Sequence, residues 1–215
     1  NIMPIPKQNN IVGYWKGNLD EDGDLFDSTN RINGGTANHG VLTSDPPQIE
    51  TPYGSMLEFD GSADYVTVSD NSSIQVVASD HTFAFILRFT TTGNAVITEK
   101  GSNDELAFQT ISGNIRWAGA NSQDTNAIIN DNLFHHFVGV AASTTSLYYV
   151  DGNLDITGGD KTQGTPNSTD LLIGSRSGGI PFPGPIGHII LYNTSLNSNE
   201  VKELYLAMEK LTALR

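Results

Sequence analysis

The densest group of potential metal ligands in the sequence is the run Asp20-Glu21-Asp22-Gly23-Asp24. Asp20, Asp22 and Asp24 fall on the first three ligand positions of an EF-hand loop. The sixth position is Leu25, where the sharp turn demands Gly, and the twelfth is Arg31, where a bidentate Glu is needed, so EF-hand chemistry is excluded. Asp60, in the turn Asp60-Gly61, is a separate oxygen donor for a hard cation. His135 and His136 are adjacent in a β-prone run; they point to opposite faces and cannot chelate one ion together. His39, His81 and His188 lack metal-ligand spacing. The chain has no cysteine and no G-x-S-x-G phrase, which removes the common nucleophile arrangements. Retaining glycoside hydrolysis needs two carboxylates about 5–5.5 Å apart. Asp20-Glu21-Asp22 sits in an apparent loop and does not set such a pair on one strand face.

Non-covalent sugar recognition needs less: a flat aromatic face to stack on the ring, with polar side chains around it. Trp117 precedes a polar segment containing Asn121, Asp124 and Asn126, and this group is the first candidate site; Tyr53, between Pro52 and Gly54, is the second aromatic candidate. Core packing is the competing reading of Trp117, since aromatic residues in strands are usually buried. Trp15 reads as core. The stiff segment Ile180-Pro181-Phe182-Pro183-Gly184-Pro185 carries one Phe that lines either a pocket or an interface.

These residues sit among strands. Phe83, Phe85, Leu87 and Phe89 alternate within Thr82 to Thr90, the pattern of a half-buried strand. Further β-prone runs are Ile11 to Trp15, Met56 to Val68 around the Asp60-Gly61 turn, Leu106 to Ala118 in two pieces, Phe134 to Val150 in two pieces, Leu171 to Ile173 and Ile186 to Tyr192. About a dozen strands result. Asn18 to Asn38 is acidic and Gly-rich, and reads as a loop. Asp151-Gly152 is expected at a hairpin tip, because a type I′ turn needs positive φ at both central residues. The period changes only at the end. Asn197 followed by Glu200 forms a capping-box pattern, and Val201, Leu204, Tyr205, Met208 and Leu211 share one helical face, expected to pack on the chain's own strands.

Composition bounds the partners. The 215 residues suit one all-β domain, and 22 Gly and 9 Pro fit many turns. Eleven Lys and Arg against 24 Asp and Glu leave a formal charge of −13, which disfavours nucleic acid and anionic membrane surfaces. No apolar run approaches the length of a membrane span. The same charge makes neutral or cationic glycans better expected ligands than polyanions.

Three phrases carry a family resemblance: MLEFDGSADYVTV at Met56 to Val68, LYYVDG at Leu147 to Gly152, and GPIGHIILYNTSLNSNEV at Gly184 to Val201. In that order and at those separations they resemble the laminin-G-like, concanavalin-like jelly-roll family, with pentraxins and legume lectins as distant cousins, over Ile11 to Tyr205. The resemblance implies an all-β, two-sheet antiparallel jelly roll with a C-terminal helix. It also implies a structural calcium on the acidic residue of a D-S-x-N phrase, here Asp27 of Asp27-Ser28-Thr29-Asn30; the turn residue Asp60 is the second expected donor. Asn103-Asp104-Glu105-Leu106 resembles part of the pentraxin calcium site, but the complementary loop reads Ser175-Arg176-Ser177, with a cation where carboxylates are required. The family's G-x-I-D-E phrase appears as Gly184-Pro185-Ile186-Gly187-His188, without its acidic pair. His135-His136 matches a W-H-H-V phrase, with Phe134 in place of Trp. The E-x-D-x-E strand of glycosidases of this sandwich, and the Arg, Gln and His signature of alginate lyases, are missing.

The expected organisation is an N-terminal arm over 1–10, a jelly roll over 11–196 and a helix with tail over 197–215. The leading functional expectation is a non-catalytic lectin-like module that binds a glycan or glycoprotein through rim loops, in an extracellular, cell-surface or virion-surface setting, with calcium as its one expected ion. An assembly subunit that contacts neighbouring protein subunits, such as a virus or phage decoration protein, is the alternative from a different class. A polysaccharide-degrading enzyme is the third reading.

Overall fold

The computed structural model describes residues 5–101, 106–118, 122–143, 145–158, 166–176 and 179–213. Their sixteen strands are β1 (Ile11–Leu19), β2 (Leu25–Asp27), β3 (Gly40–Thr43), β4 (Gln48–Thr51), β5 (Gly54–Asp60), β6 (Tyr65–Val68), β7 (His81–Leu87), β8 (Ala95–Lys100), β9 (Phe108–Ile111), β10 (Asn114–Trp117), β11 (Gln123–Asp124), β12 (His135–Ala142), β13 (Thr145–Val150), β14 (Asn153–Thr157), β15 (Leu171–Ile173) and β16 (Pro183–Tyr192). A short helix α1 (Thr29–Asn33) follows β2, and a long helix α2 (Ser198–Ala213) ends the chain.

Every pairing between these strands is antiparallel, in the order β11-β10-β9-β8-β15-β6-β3-β2-β1-β16-β7-β12-β13-β14, with β5 also pairing β16 and β4 pairing β5. The ladder folds over at β1 and β2 into two facing sheets. Phe108 of β9 stacks on Phe83 of β7 with ring centroids 5.2 Å apart and lies edge-on to Phe137 of β12 at 5.6 Å, contacts that strands so distant in the ladder make only face to face. Between the sheets lie Trp15, Val66, Val68, Phe83, Phe85, Leu87, Leu171 and Ile173 in one buried cluster. This is a two-sheet antiparallel jelly roll.

A second buried cluster lies on the outer side of the second sheet. Tyr14, Met56, Ala84, Ile86, Val138, Val140 and Ile190 meet Val201, Leu204 and Met208 of α2. Leu211 packs at its margin, so the apolar stripe read from the sequence is spent on the chain's own sheet. The α2 start is a reciprocal capping box: Asn197 Oδ1 accepts from the Glu200 N–H at 3.1 Å, and Glu200 Oε2 accepts from the Asn197 N–H at 2.8 Å. Lys7 ties the N-terminal segment to this corner, donating to the Ser195 carbonyl at 2.8 Å and pairing with Glu200 at 3.1 Å.

Two expectations change. The strand around Phe85 is buried on both faces, because α2 covers the Ala84 and Ile86 side and the 194–196 segment covers Thr82. The stretch Asn18 to Asn38 is not all loop, since it contains β2 and α1. The hairpin tip is as expected: Asp151 has φ 50° and Gly152 φ 72°. A Cβ on Gly152 would sit 2.9 Å from the Tyr205 ring, so the tip also needs Gly to let α2 approach.

Candidate functional site

A groove of about 1160 Å³ runs over the outer face of the first sheet. Strand alternation builds its floor. Val66 and Val68 of β6 and Leu171 and Ile173 of β15 point into the core, which turns Tyr65, Thr67 and Leu172 outward. Register then aligns Val41 of β3, Thr67, Leu172 and Glu99 of β8 in one row across four strands, with Thr43 beside Tyr65 in the next. Loops raise the ends: Ser62 and Ala63 with Ser175 and Arg176 at one, Ser168 to Asp170 at the other. Hydroxyl groups therefore surround a half-buried tyrosine ring and a leucine. Arg176 Nη2 holds Glu99 Oε1 at 3.3 Å.

A buried lysine stiffens one wall. Lys100 pairs in register with core-facing Leu171 and is fully buried. Its ammonium donates to Asp70 Oδ1 at 2.5 Å, to the Thr169 carbonyl at 2.6 Å and to the Asn167 carbonyl at 3.4 Å. Asp170 Oδ1 accepts from the Asp70 N–H at 2.9 Å, closing a network that fixes the 167–170 loop over the groove. A buried charge persists only with partners of this kind.

The residues expected from sequence to form the site do not assemble into one. Trp117 is 1% exposed, with its ring 4.8 Å from Phe108 and 6.1 Å from Tyr148, so the expectation that it offers a stacking platform is corrected: it is a core residue. Asp124 is bound to Arg116 through both oxygens, at 2.5 and 2.9 Å. Asn126 is exposed, and its N–H donates to Asp155 at 2.6 Å to join the 125–127 turn to β14. Asn121 lies outside the described residues, as do Asn103, Asp104 and Glu105. Tyr53 is not a rim aromatic. Its hydroxyl donates to Glu209 of α2 at 2.7 Å, and its ring meets Phe134 edge-on at 5.6 Å. Burial and then the Glu209 hydrogen bond raise its phenol well above the ordinary tyrosine range.

The two carboxylates expected to hold calcium serve backbone donors. Asp27 is fully buried; Oδ1 accepts from the Tyr14 N–H at 2.9 Å, the Thr29 N–H at 2.9 Å and the Thr29 hydroxyl at 2.6 Å, and Oδ2 from the Asn38 N–H at 2.8 Å. Asp60 Oδ1 accepts from the N–H groups of Ser62, Ala63 and Asp64, which holds its carboxyl below the usual range. Among the described residues no three His, Asp or Glu side chains are arranged to hold a metal ion.

Three histidines, His81, His136 and His188, are buried. His188 Nε2 donates to the Tyr53 carbonyl at 2.8 Å, so Nδ1 accepts from the Tyr14 hydroxyl at 2.9 Å. Burial pushes His188 and His136 each down to about 4. His135 sits between Asp151 at 2.8 Å and Asp131 at 3.1 Å, and the Asp151 hydrogen bond raises it above the ordinary histidine value.

No curated protein matches the chain. Solved structures do. The binding domain of Paraclostridial Mosquitocidal Protein 1 superposes with a TM-score of 0.76 at 13% identity, over 92% of this chain and 52% of that one. A binding domain of botulinum neurotoxin DC, solved in complex with SialylT, superposes at 0.70 and 12% identity over 94% and 52%. The same type of domain solved with rat synaptotagmin II gives the same values. The chain thus spans about half the length of these structures, and at such identities they speak for the shared jelly roll. Residues 60–202, more than half of the sequence, match the concanavalin A-like lectin/glucanases superfamily, of the laminin-G type, and the chain belongs to that superfamily.

Proposed function

We propose that this protein is a non-catalytic recognition module, acting at an extracellular or cell-surface location, that holds a hydroxyl-rich, largely uncharged glycan in the groove across β3, β6, β15 and β8. The observation that carries this reading is the aligned outward row. Tyr65 and Leu172 offer apolar faces to sugar rings, and Thr43, Thr67, Ser168, Thr169 and Ser175 surround them with directional partners. The groove spans four strands and is not enclosed, which suits an oligosaccharide better than a small enclosed ligand. The structural neighbours are binding domains, one solved with SialylT, which supports a binding role in general and leaves the sugar to be identified for this chain. Its two carboxylates, Glu99 and Asp170, are each engaged by a protein donor, which favours binding over hydrolysis. The apolar stripe of α2 is buried on the chain's own sheet and so is not offered to a neighbouring subunit.

A glycan array with the folded protein tests the proposal. Tyr65→Ala should abolish the signal while shifting Tm by about a degree or less, as expected for an outward-facing residue. A folded wild type that binds no glycan, or a Tyr65→Ala variant that binds as well as wild type, overturns the groove reading.

A further inference from the structure

A second cleft, about 790 Å³, opens between β1, α1 and the β1–β2 turn, away from the groove's lining. One wall is cationic. Lys16 Nζ lies over the Tyr14 ring at 5.1 Å, and the Arg31 guanidinium lies over the Phe26 ring at 4.3 Å. Phe26 is backed in turn by His39, with centroids 5.0 Å apart and the rings tilted by 48°, so the ring under the guanidinium is held in place. Among the described residues neither cation has an ion-pair partner. Burial lowers the Lys16 ammonium below the ordinary lysine value, and the nearby Arg31 charge lowers it further. In a chain with 24 acidic and only 11 basic side chains, two cations left to repel each other are conspicuous.

The facing wall has the opposite character. Asp20, Glu21 and Asp22 line it. Asp20 is committed: its Oδ1 accepts from the N–H groups of Asp22 at 3.0 Å and Asp24 at 2.9 Å, and its Oδ2 lies 3.4 Å from His39 Nδ1. Glu21 and Asp22 are exposed and accept only. A polyanion satisfies the first wall and is repelled by the second. An inorganic anion uses the first wall alone, and a neutral sugar leaves the cations uncompensated. A group bearing one carboxylate and several hydroxyl donors satisfies both.

We propose that this cleft is a second binding site, selective for a polyhydroxy-carboxylate such as a sugar acid, whose carboxylate lies on Lys16 and Arg31 and whose hydroxyls donate to Glu21 and Asp22. The global charge of −13 opposes polyanions at long range but does not prevent a single carboxylate from meeting two cations at contact.

Calorimetric titration of the intact chain with glucuronate, glucose, acetate and inorganic phosphate is the test. Glucuronate should saturate, and the other three should bind at least about tenfold more weakly. Arg31→Gln, at an exposed position that does not endanger folding, and Lys16→Gln should each weaken glucuronate by about tenfold or more, the usual cost of losing a charge-assisted contact. Tyr65→Ala should leave glucuronate binding unchanged, which separates this site from the groove. Failure of glucuronate to saturate the wild type, acetate or phosphate binding equally well, or an Arg31→Gln variant that keeps full affinity overturns the proposal.

Discussion

Asp27 shows how a residue expected to take one partner is committed to another. Its four donors come from β1, α1 and the 37–38 segment, so one carboxylate ties the first strand to the turn that follows β2. Asp27→Ala leaves three buried N–H groups and a hydroxyl without their acceptor and should cost about 3 kcal/mol or more. For a chain of this size that lowers Tm by several degrees. EDTA should leave the wild-type Tm where it was; a drop of several degrees on EDTA, reversed by calcium, would restore Asp27 to the metal. The D-S-x-N phrase marked this residue from the sequence, but not its neighbours: Tyr14 and Asn38 reach it only once β1 and β2 pair. Trp117 is different. Its parity with core-facing Ile115 across Arg116 was readable in the sequence and already placed its ring inside.

At the scale of elements, local chemistry was legible and distant pairing was not. The Asp151-Gly152 tip, the Asn197–Glu200 cap and the α2 stripe each rest on residues within a few positions of one another, and all three form. The outward parity of Tyr65, Thr67 and Leu172 could also be read. What makes them a groove is the pairing of β6 with β15 about a hundred residues later, and no local pattern specifies that register. The β12–β14 meander carries its own test. His135 bridges Asp151 at the hairpin tip and Asp131 before β12, and the Asp151 hydrogen bond raises it. A raised histidine contributes stability that is complete below its unfolded value near 6.5 and is lost as pH climbs through the higher folded value. The stability difference between wild type and His135→Gln should therefore be largest near pH 6 and shrink above it. A difference that is flat or grows from pH 6 to 9 would show that the bridge contributes nothing.

For the whole molecule, pH acts through opposing contributions whose sizes decide the outcome. His136 and His188 lie under α2 and the β4–β5 hairpin, facing Tyr14, Tyr205, the Tyr53 carbonyl, Asp151 and Lys16, and burial holds each near 4. Below about 6.5 the unfolded chain takes up these two protons and the native chain does not, so stability falls as pH drops from about 6.5 to about 4, by roughly 3 kcal/mol per histidine. The lowered carboxyls of Asp60, Asp131 and Asp151 act in the same direction at still lower pH, while the raised Asp64 opposes them. Against this, approach to the isoelectric point near 4.5 relieves the self-repulsion of a chain that carries −13 at neutrality. That repulsion acts between surface charges, largely screened beyond about 8 Å at physiological salt, whereas the histidine cost arises in the interior and is screened much less. The interior contribution should win. Urea unfolding in 0.15 M salt should give a free energy that declines steadily from pH 6.5 to 4.5, and His136→Gln should flatten the decline. A stability that holds level or rises over that interval would mean that the buried histidines charge without cost and that surface repulsion governs the acid response of this sandwich.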